Sequence, residues 1–157
     1  MQIRESVGKW ISILYRHAQI YINNELKPYD LNSSEYIYLV NISSQEGVNQ
    51  KYLSNMLAID DALTTRVMKS LERKGYIVRQ KSLEDKRAYI VKLTEKGDNI
   101  QPIIIEKLYR WTDIISENMS EEERESIIEK LKMMSHNALL VTKGRKKEYT
   151  ERVDDNG

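Results

Sequence analysis

The chain has 157 residues, 31% of them charged and 40% hydrophobic, with a net charge of +1, which suits one well-packed domain or two small joined lobes. No apolar run approaches the roughly 18 residues needed to cross a bilayer, and the start, broken by Arg4, Glu5 and Lys9, lacks the apolar core of a signal peptide; a cytoplasmic protein with no membrane partner is expected. With no cysteine and only His17 and His136 as histidines, disulfides, thiolate metal sites and a cysteine nucleophile are excluded, and no metal or cofactor is expected.

In chain order, Ile3, Val7, Trp10, Ile11, Leu14, Ala18, Tyr21 and Ile22 recur at three- and four-residue steps. This predicts one apolar stripe on a helix over about 3–26, roughly 36 Å long at 1.5 Å per residue. Pro28 stops it, and Asn32 or Ser33 can cap a second helix that turns Tyr36, Leu39, Val40 and Ile42 inward and ends at Gly47. Asn49 caps a short helix through Leu57. Asp60 caps another over Asp61–Lys74, closed by a left-handed Gly75. Two short helices joined by a tight turn form a helix-turn-helix. Ile77–Lys81 and Ala88–Leu93 read as hairpin strands around the polar stretch Ser82–Arg87. Thr94 caps a long helix, about Glu95–Met119, that Pro102 can bend. Ser120 and Glu123 form a capping box for a last helix reaching about Lys143. From Gly144 the chain is charged and poor in apolar groups, so a disordered tail over 144–157 is expected. The fold expected is mainly α with a small β-hairpin wing (α+β), a single domain over 1–143. In it a winged helix-turn-helix lobe, about 32–93, is flanked by long helices over 3–26 and 95–143.

The near-neutral total conceals an asymmetry. Residues 48–93 carry 10 basic and 5 acidic side chains, whereas 1–47 carry 4 and 5, and 94–143 carry 7 and 10. Positive charge confined to one segment points to a polyanion partner for that segment, here double-stranded DNA. On the helix over 61–74, Val67, Met68 and Leu71 form the packing face. Thr64, Thr65, Arg66, Lys69 and Arg73, with Asn49 on the preceding helix, are the candidates for contacting the major groove and its phosphates. The hairpin tip gathers Lys81, Lys86 and Arg87 beside Asp85, an arrangement suited to an adjacent minor groove, with Asp85 orienting Arg87. A winged helix that binds a protein is the competing possibility. No glycine-rich phosphate loop, nucleophile elbow or serine–histidine–carboxylate grouping is present, so catalysis is not expected.

The succession of helix, helix, Gly75-Tyr76-Ile77, a charged hairpin with Asp85-Lys86-Arg87 and then Leu93-Thr94-Glu95-Lys96-Gly97 resembles the multiple-antibiotic-resistance regulator (MarR) family over about residues 3–143. The resemblance implies a winged-helix homodimer that binds pseudo-palindromic operators, most often as a repressor. The helix over 61–74 would be the recognition helix, Asn49–Leu57 its brace, and Arg87 the minor-groove residue at the wing tip, fixed by Asp85. It also implies release of DNA by a small aromatic or phenolic effector held between the dimer helices and the DNA lobe. Trp10, Tyr15, Arg16, His17, Tyr36 and Tyr38 are the candidates to line that site; a regulator without an effector is the alternative. With ten tyrosines and no phenylalanine, tyrosine must also serve as an ordinary core residue. Two positions depart from the family pattern: Asp61, where lysine or a small polar residue is common, and Leu63, where threonine or serine is frequent. An acid beside phosphates is unfavourable, and a leucine can meet only a thymine methyl.

Overall fold

Helix α1, Val7–Leu26, buries Ile22 and Leu26 near its end and leaves Trp10, Ile11 and Leu14 exposed near its start. The computed structural model describes residues 5–154, with side chains as far as Lys143, so Ile3 lies outside the described residues. Pro28 sits in a single 3-10 turn, Lys27–Tyr29, where a fixed φ is tolerated, and Asp30 reverses the chain with φ 54°. Helix α2 spans only Tyr36–Leu39 and stops well short of Gly47. The reason is local competition for backbone groups: Asn41 Nδ2 donates to the Ile37 carbonyl, and Ser43 Oγ accepts from Gln45 N–H.

Strand β1, Val48–Asn49, leads into helix α3, Gln50–Leu57, and helix α4 covers Asp61–Arg73. Ala58 ends α3 in the left-handed region, and Gly75, at φ 79°, follows the end of α4. Strands β2, Ile77–Lys81, and β3, Tyr89–Leu93, pair antiparallel from Ile77↔Leu93 to Lys81↔Tyr89. Strand β1 adds to the other edge of β3 through Val48↔Val91 and Asn49↔Ile90, so the expected hairpin is part of a three-stranded sheet ordered β1-β3-β2. Two residues are too few to show a period of two, which is why β1 leaves no mark in the sequence.

Helix α5, Glu95–Ile115, starts with Gly97 pressed against the chain after α4. A Cβ at Gly97 would collide with the Tyr76 carbonyl oxygen and crowd Leu93, which accounts for glycine at the end of the Leu93–Gly97 run. Pro102 lies inside α5 without ending it. The helix stops at Ile115, short of the expected Met119, and Asn118 turns the chain with φ 67°, a region asparagine tolerates. Along α1 and α5, the Tyr21 and Trp111 rings stack at 4.9 Å, and Lys107 Nζ donates to Glu25 Oε2 at 2.7 Å. That ammonium holds the Glu25 carboxyl below the usual carboxylate range.

The core gathers Leu26, Leu39, Leu53, Met68, Leu71, Ile77, Val91 and Ile104, all fully or almost fully buried. Each such side chain contributes about 1.5–3 kcal/mol by leaving water.

The chain divides into two compact units, one ending at Asp113 and one beginning at Ile114. The second is built on helix α6, Glu121–Asp154. Its start is the expected capping box, in which Glu123 N–H donates to Ser120 Oγ at 3.2 Å and Ser120 N–H to Glu123 Oε2 at 2.8 Å. Backbone helix continues past Lys143, through a stretch of helix formers such as Arg145, Lys146, Lys147 and Glu148. Positions 155–157 of the expected tail lie outside the described residues. Ile127, Ile128, Leu131 and Leu140 are exposed on α6. Among the described residues no helix is long and apolar enough to cross a membrane.

Candidate nucleic-acid interface

Two capped helices meet a hairpin, and caps and cross-ties set their mutual geometry. Asn49 Oδ1 accepts from Lys51 N–H at 2.9 Å and Tyr52 N–H at 3.1 Å, so the side chain of this candidate contact is engaged in capping α3. Asp60 Oδ1 does the same for α4, accepting from Leu63 N–H at 2.7 Å. Between the helices, Gln50 Nε2 donates to Thr65 Oγ1 at 3.2 Å, Lys51 Nζ meets Asp61 Oδ2 at 2.7 Å, and Ser54 Oγ donates to Asp61 Oδ1 at 2.6 Å.

Along α4 the apolar stripe Val67, Met68 and Leu71 faces the core, and Arg66, Lys69 and Arg73 are exposed on the other side. With Ala62 and half-buried Thr65 they border a shallow groove of about 520 Å³. Thr64 does not belong to this face. It is 1% exposed, and its hydroxyl meets the Tyr38 hydroxyl at 3.0 Å in the interior. Its place three and four residues before Val67 and Met68 puts it on the buried stripe, so it is removed from the candidate contacts.

The hairpin tip is held by its own polar groups. Ser82 Oγ accepts from Glu84 N–H and Asp85 N–H, Ala88 N–H donates to the Asp85 carbonyl, and Asp85 Oδ1 accepts from Arg87 N–H at 2.9 Å. Asp85 therefore holds Arg87 through its backbone N–H, as an Asx turn. Lys81, Lys86 and Arg87 are all exposed. A groove of about 530 Å³ separates the wing from the helices; Asn49, Lys51, Tyr52, Asp61, Arg87 and Tyr89 are on its walls. Lys51 and Tyr52 carried no signal in the sequence, because their position depends on a wing far along the chain.

A second cavity, of about 360 Å³, opens beside the first turn of α4, where Tyr15 and Ile22 of α1 face Tyr36, Tyr38, Ile59 and Leu63. Burial pushes the Tyr36 phenol above its usual range, with Tyr15 adding to the effect. Burial does the same to Tyr38 against the opposing hydrogen bond from Thr64. Trp10, Arg16 and His17 do not line this cavity. Trp10 Nε1 donates to Glu5, Arg16 donates to Ser12 on its own helix, and His17 is exposed.

Comparison with known proteins agrees with this architecture. Residues 31–89 match the MarR family. The HTH-type transcriptional regulator YybA of Bacillus subtilis is 31% identical over 145 residues, covering 88% of this chain and 95% of that protein. A MarR transcriptional regulator from Methanosarcina mazei has a TM-score of 0.79 and 36% identity, covering 86% and 97% of the two chains. The chain belongs to the MarR family.

As a MarR-family member it is a transcriptional regulator and not an enzyme, with the family's mostly helical fold and small antiparallel sheet. A putative MarR-family regulator from Listeria monocytogenes, solved in complex with a 26mer DNA, has a TM-score of 0.79 and 27% identity, covering 85% and 89%. The two departures of this MarR-family chain from the pattern now have physical explanations. Asp61 is compensated by Lys51 and Ser54 from α3, so its charge does not stand alone beside the groove. Leu63 is half-buried against the core and lines the tyrosine cavity, so an apolar residue there has a packing role.

Proposed function

We propose that the protein is a homodimeric repressor that grips a pseudo-palindromic operator and is released by a small aromatic or phenolic ligand. The observation that carries this is one lobe offering two distinct basic elements: Arg66, Lys69 and Arg73 on one face of α4, and Lys81, Lys86 and Arg87 on a hydrogen-bonded wing. In the proposed complex α4 enters the major groove and Arg87 the flanking minor groove, where a guanidinium is favoured by narrow A·T-rich DNA. The DNA-bound Listeria regulator, at 27% identity, supports the mode of use.

Pairing is supported by apolar surface that a lone chain leaves in water: Trp10, Ile11 and Leu14 on α1, and Ile127, Ile128 and Leu131 on α6. Two-fold pairing of two copies is what a pseudo-palindromic operator requires, with recognition helices about 34 Å apart, one turn of DNA. The cavity between Tyr15, Tyr36, Tyr38 and Leu63 supports effector control, because its wall includes the first turn of α4. A ring wedged against Leu63, or breaking the Tyr38–Thr64 bond, would shift the recognition helix.

Selection of bound fragments from the source genome, hydroxyl-radical footprinting and sedimentation of the free protein test this together. The expected result is a dimer at micromolar concentration that protects two symmetric half-sites centred about ten base pairs apart. A monomer, or a single asymmetric protected patch, would overturn the two-fold assembly.

A further inference from the structure

Strand β2 alternates so that Ile77, Arg79 and Lys81 share one face; Ile77 is buried, and Arg79 is the next residue on that face. An arginine thus occupies a position where an apolar residue would ordinarily follow, and its side chain is only 12% exposed. Its Nε and Nη2 both donate to Glu72 Oε2 on α4, at 3.2 and 3.1 Å. Its guanidinium lies 5.0 Å from the centre of the Tyr89 ring on β3. One side chain therefore joins the last turns of α4 to both strands of the wing.

The position matters because Arg79, paired with Val91, sits where the wing leaves the three-stranded part of the sheet. Strand β1 supports β3 only at Val91 and Ile90, so beyond Ile90 the hairpin is a two-stranded ribbon, the kind of element that twists and swings most easily. From Arg79 to Ser82, whose N–H donates to the Ala88 carbonyl, the ribbon reaches about 10 Å at 3.4 Å per residue. A swing of roughly 19° at that base moves the end of the ribbon about 3.4 Å, one base-pair step. An unbraced wing would consequently sample more than one register relative to α4.

We infer that Arg79, clamped between Glu72 and Tyr89, is a positioning residue that fixes the number of base pairs between the bases met by α4 and the A·T block met by Arg87. It sets the spacing that the protein accepts without touching DNA itself. This rests on α4 and the wing being separate DNA contacts. Lysine cannot replace it, because an ammonium has neither the planar fork nor the stacking face. Glu72 is the informative partner. It is 41% exposed among the basic residues of α4, so neutralising it removes a repulsion toward DNA while undoing the clamp.

The test is competition binding of the full chain to the selected operator and to versions with the A·T block moved by one or two base pairs. Thermal melting of each variant reports folding. The wild type is expected to lose about tenfold or more in affinity when the block moves, the cost of a mismatched contact. Arg79→Ala and Arg79→Lys should bind the parent operator more weakly and discriminate the displaced versions by less than about threefold. Glu72→Gln should bind unrelated DNA more tightly yet lose the same discrimination, an outcome that simple loss of fold would not produce. If Arg79→Ala and Glu72→Gln discriminate the displaced operators as sharply as the wild type, whatever their overall affinity, the inference is wrong. A wild type that binds the operator but ignores the displacement overturns the wing assignment, and the inference with it.

Discussion

Arg87→Ala is expected to weaken operator binding by about 1–3 kcal/mol for each wing, roughly fivefold to 150-fold per wing, with no change in melting temperature. The side chain is exposed, and no ion pair holds its guanidinium among the described residues, so its removal costs the folded chain little. What is lost is a guanidinium that the tip holds ready. Asp85 and Ser82 fix the backbone around Arg87, so little ordering remains to be done on binding. Asp85→Ala should reproduce part of the loss, because Arg87 then has to be ordered at the moment of contact. Fluorescence anisotropy with a labelled operator and a matched melting curve measure both quantities. An Arg87→Ala protein that binds as tightly as the wild type would remove the wing from the interface.

Lys74→Met should be the most damaging single change outside the apolar core. Glu35 is buried, its side chain 3% exposed, and its carboxylate accepts from Lys74 Nζ at 2.9 and 3.0 Å, Ser70 Oγ at 2.8 Å and Asn32 N–H at 3.2 Å. Lys74, 17% exposed, also donates to the Asp30 carbonyl. Removing the ammonium strands a charge in the interior, which costs about 3–5 kcal/mol, against a total stability of about 5–15 kcal/mol. For a chain of this length that is roughly a 6–20 °C fall in melting temperature. Glu35→Gln leaves a neutral amide and a lysine near enough to the surface to find water, so it should cost less. The double change Glu35→Gln with Lys74→Met should recover part of the single loss, as replacing both partners of a buried pair commonly does. A Lys74→Met protein that melts within about 2 °C of the wild type would contradict this. The cluster ties the chain at Glu35, beside the cavity residues Ser34 and Tyr36, to Ser70 and Lys74 at the far end of the recognition helix.

What the sequence made legible was local. Asn49 and Asp60 as caps, Gly75 as a stop and the Ser120–Glu123 box all depend on neighbours within four residues, and each has the geometry expected. The misplacements came from distant partners. Thr64 keeps the spacing of the buried stripe, but its hydroxyl disguised it, and Tyr38, which satisfies that hydroxyl, lies 26 residues away. Asp61 looked unfavourable until Lys51, one helix earlier, was brought against it. Glu35 meets Lys74 across 39 residues, and nothing in a one-dimensional pattern pairs them. Tyr15, Tyr36 and Tyr38 line one cavity, whereas Arg16 and His17, on the same turn as Tyr15 but other faces of α1, and Trp10, more than a turn earlier, lie apart from it. Helical periodicity identified α1 as amphipathic but could not say which face and turn would meet α2.

The most direct measurement of the central proposal, that the α4 face and the wing together meet the DNA backbone and grooves, is operator affinity as a function of salt. With about three phosphates neutralised by each lobe of a dimer, log K against log salt should fall with a slope near −5, about a thousandfold between 50 and 200 mM. Lys69→Ala or Lys86→Ala should each make that slope shallower by about one per lobe. A slope near zero, or one that neither substitution changes, would contradict the assignment of these two surfaces to DNA.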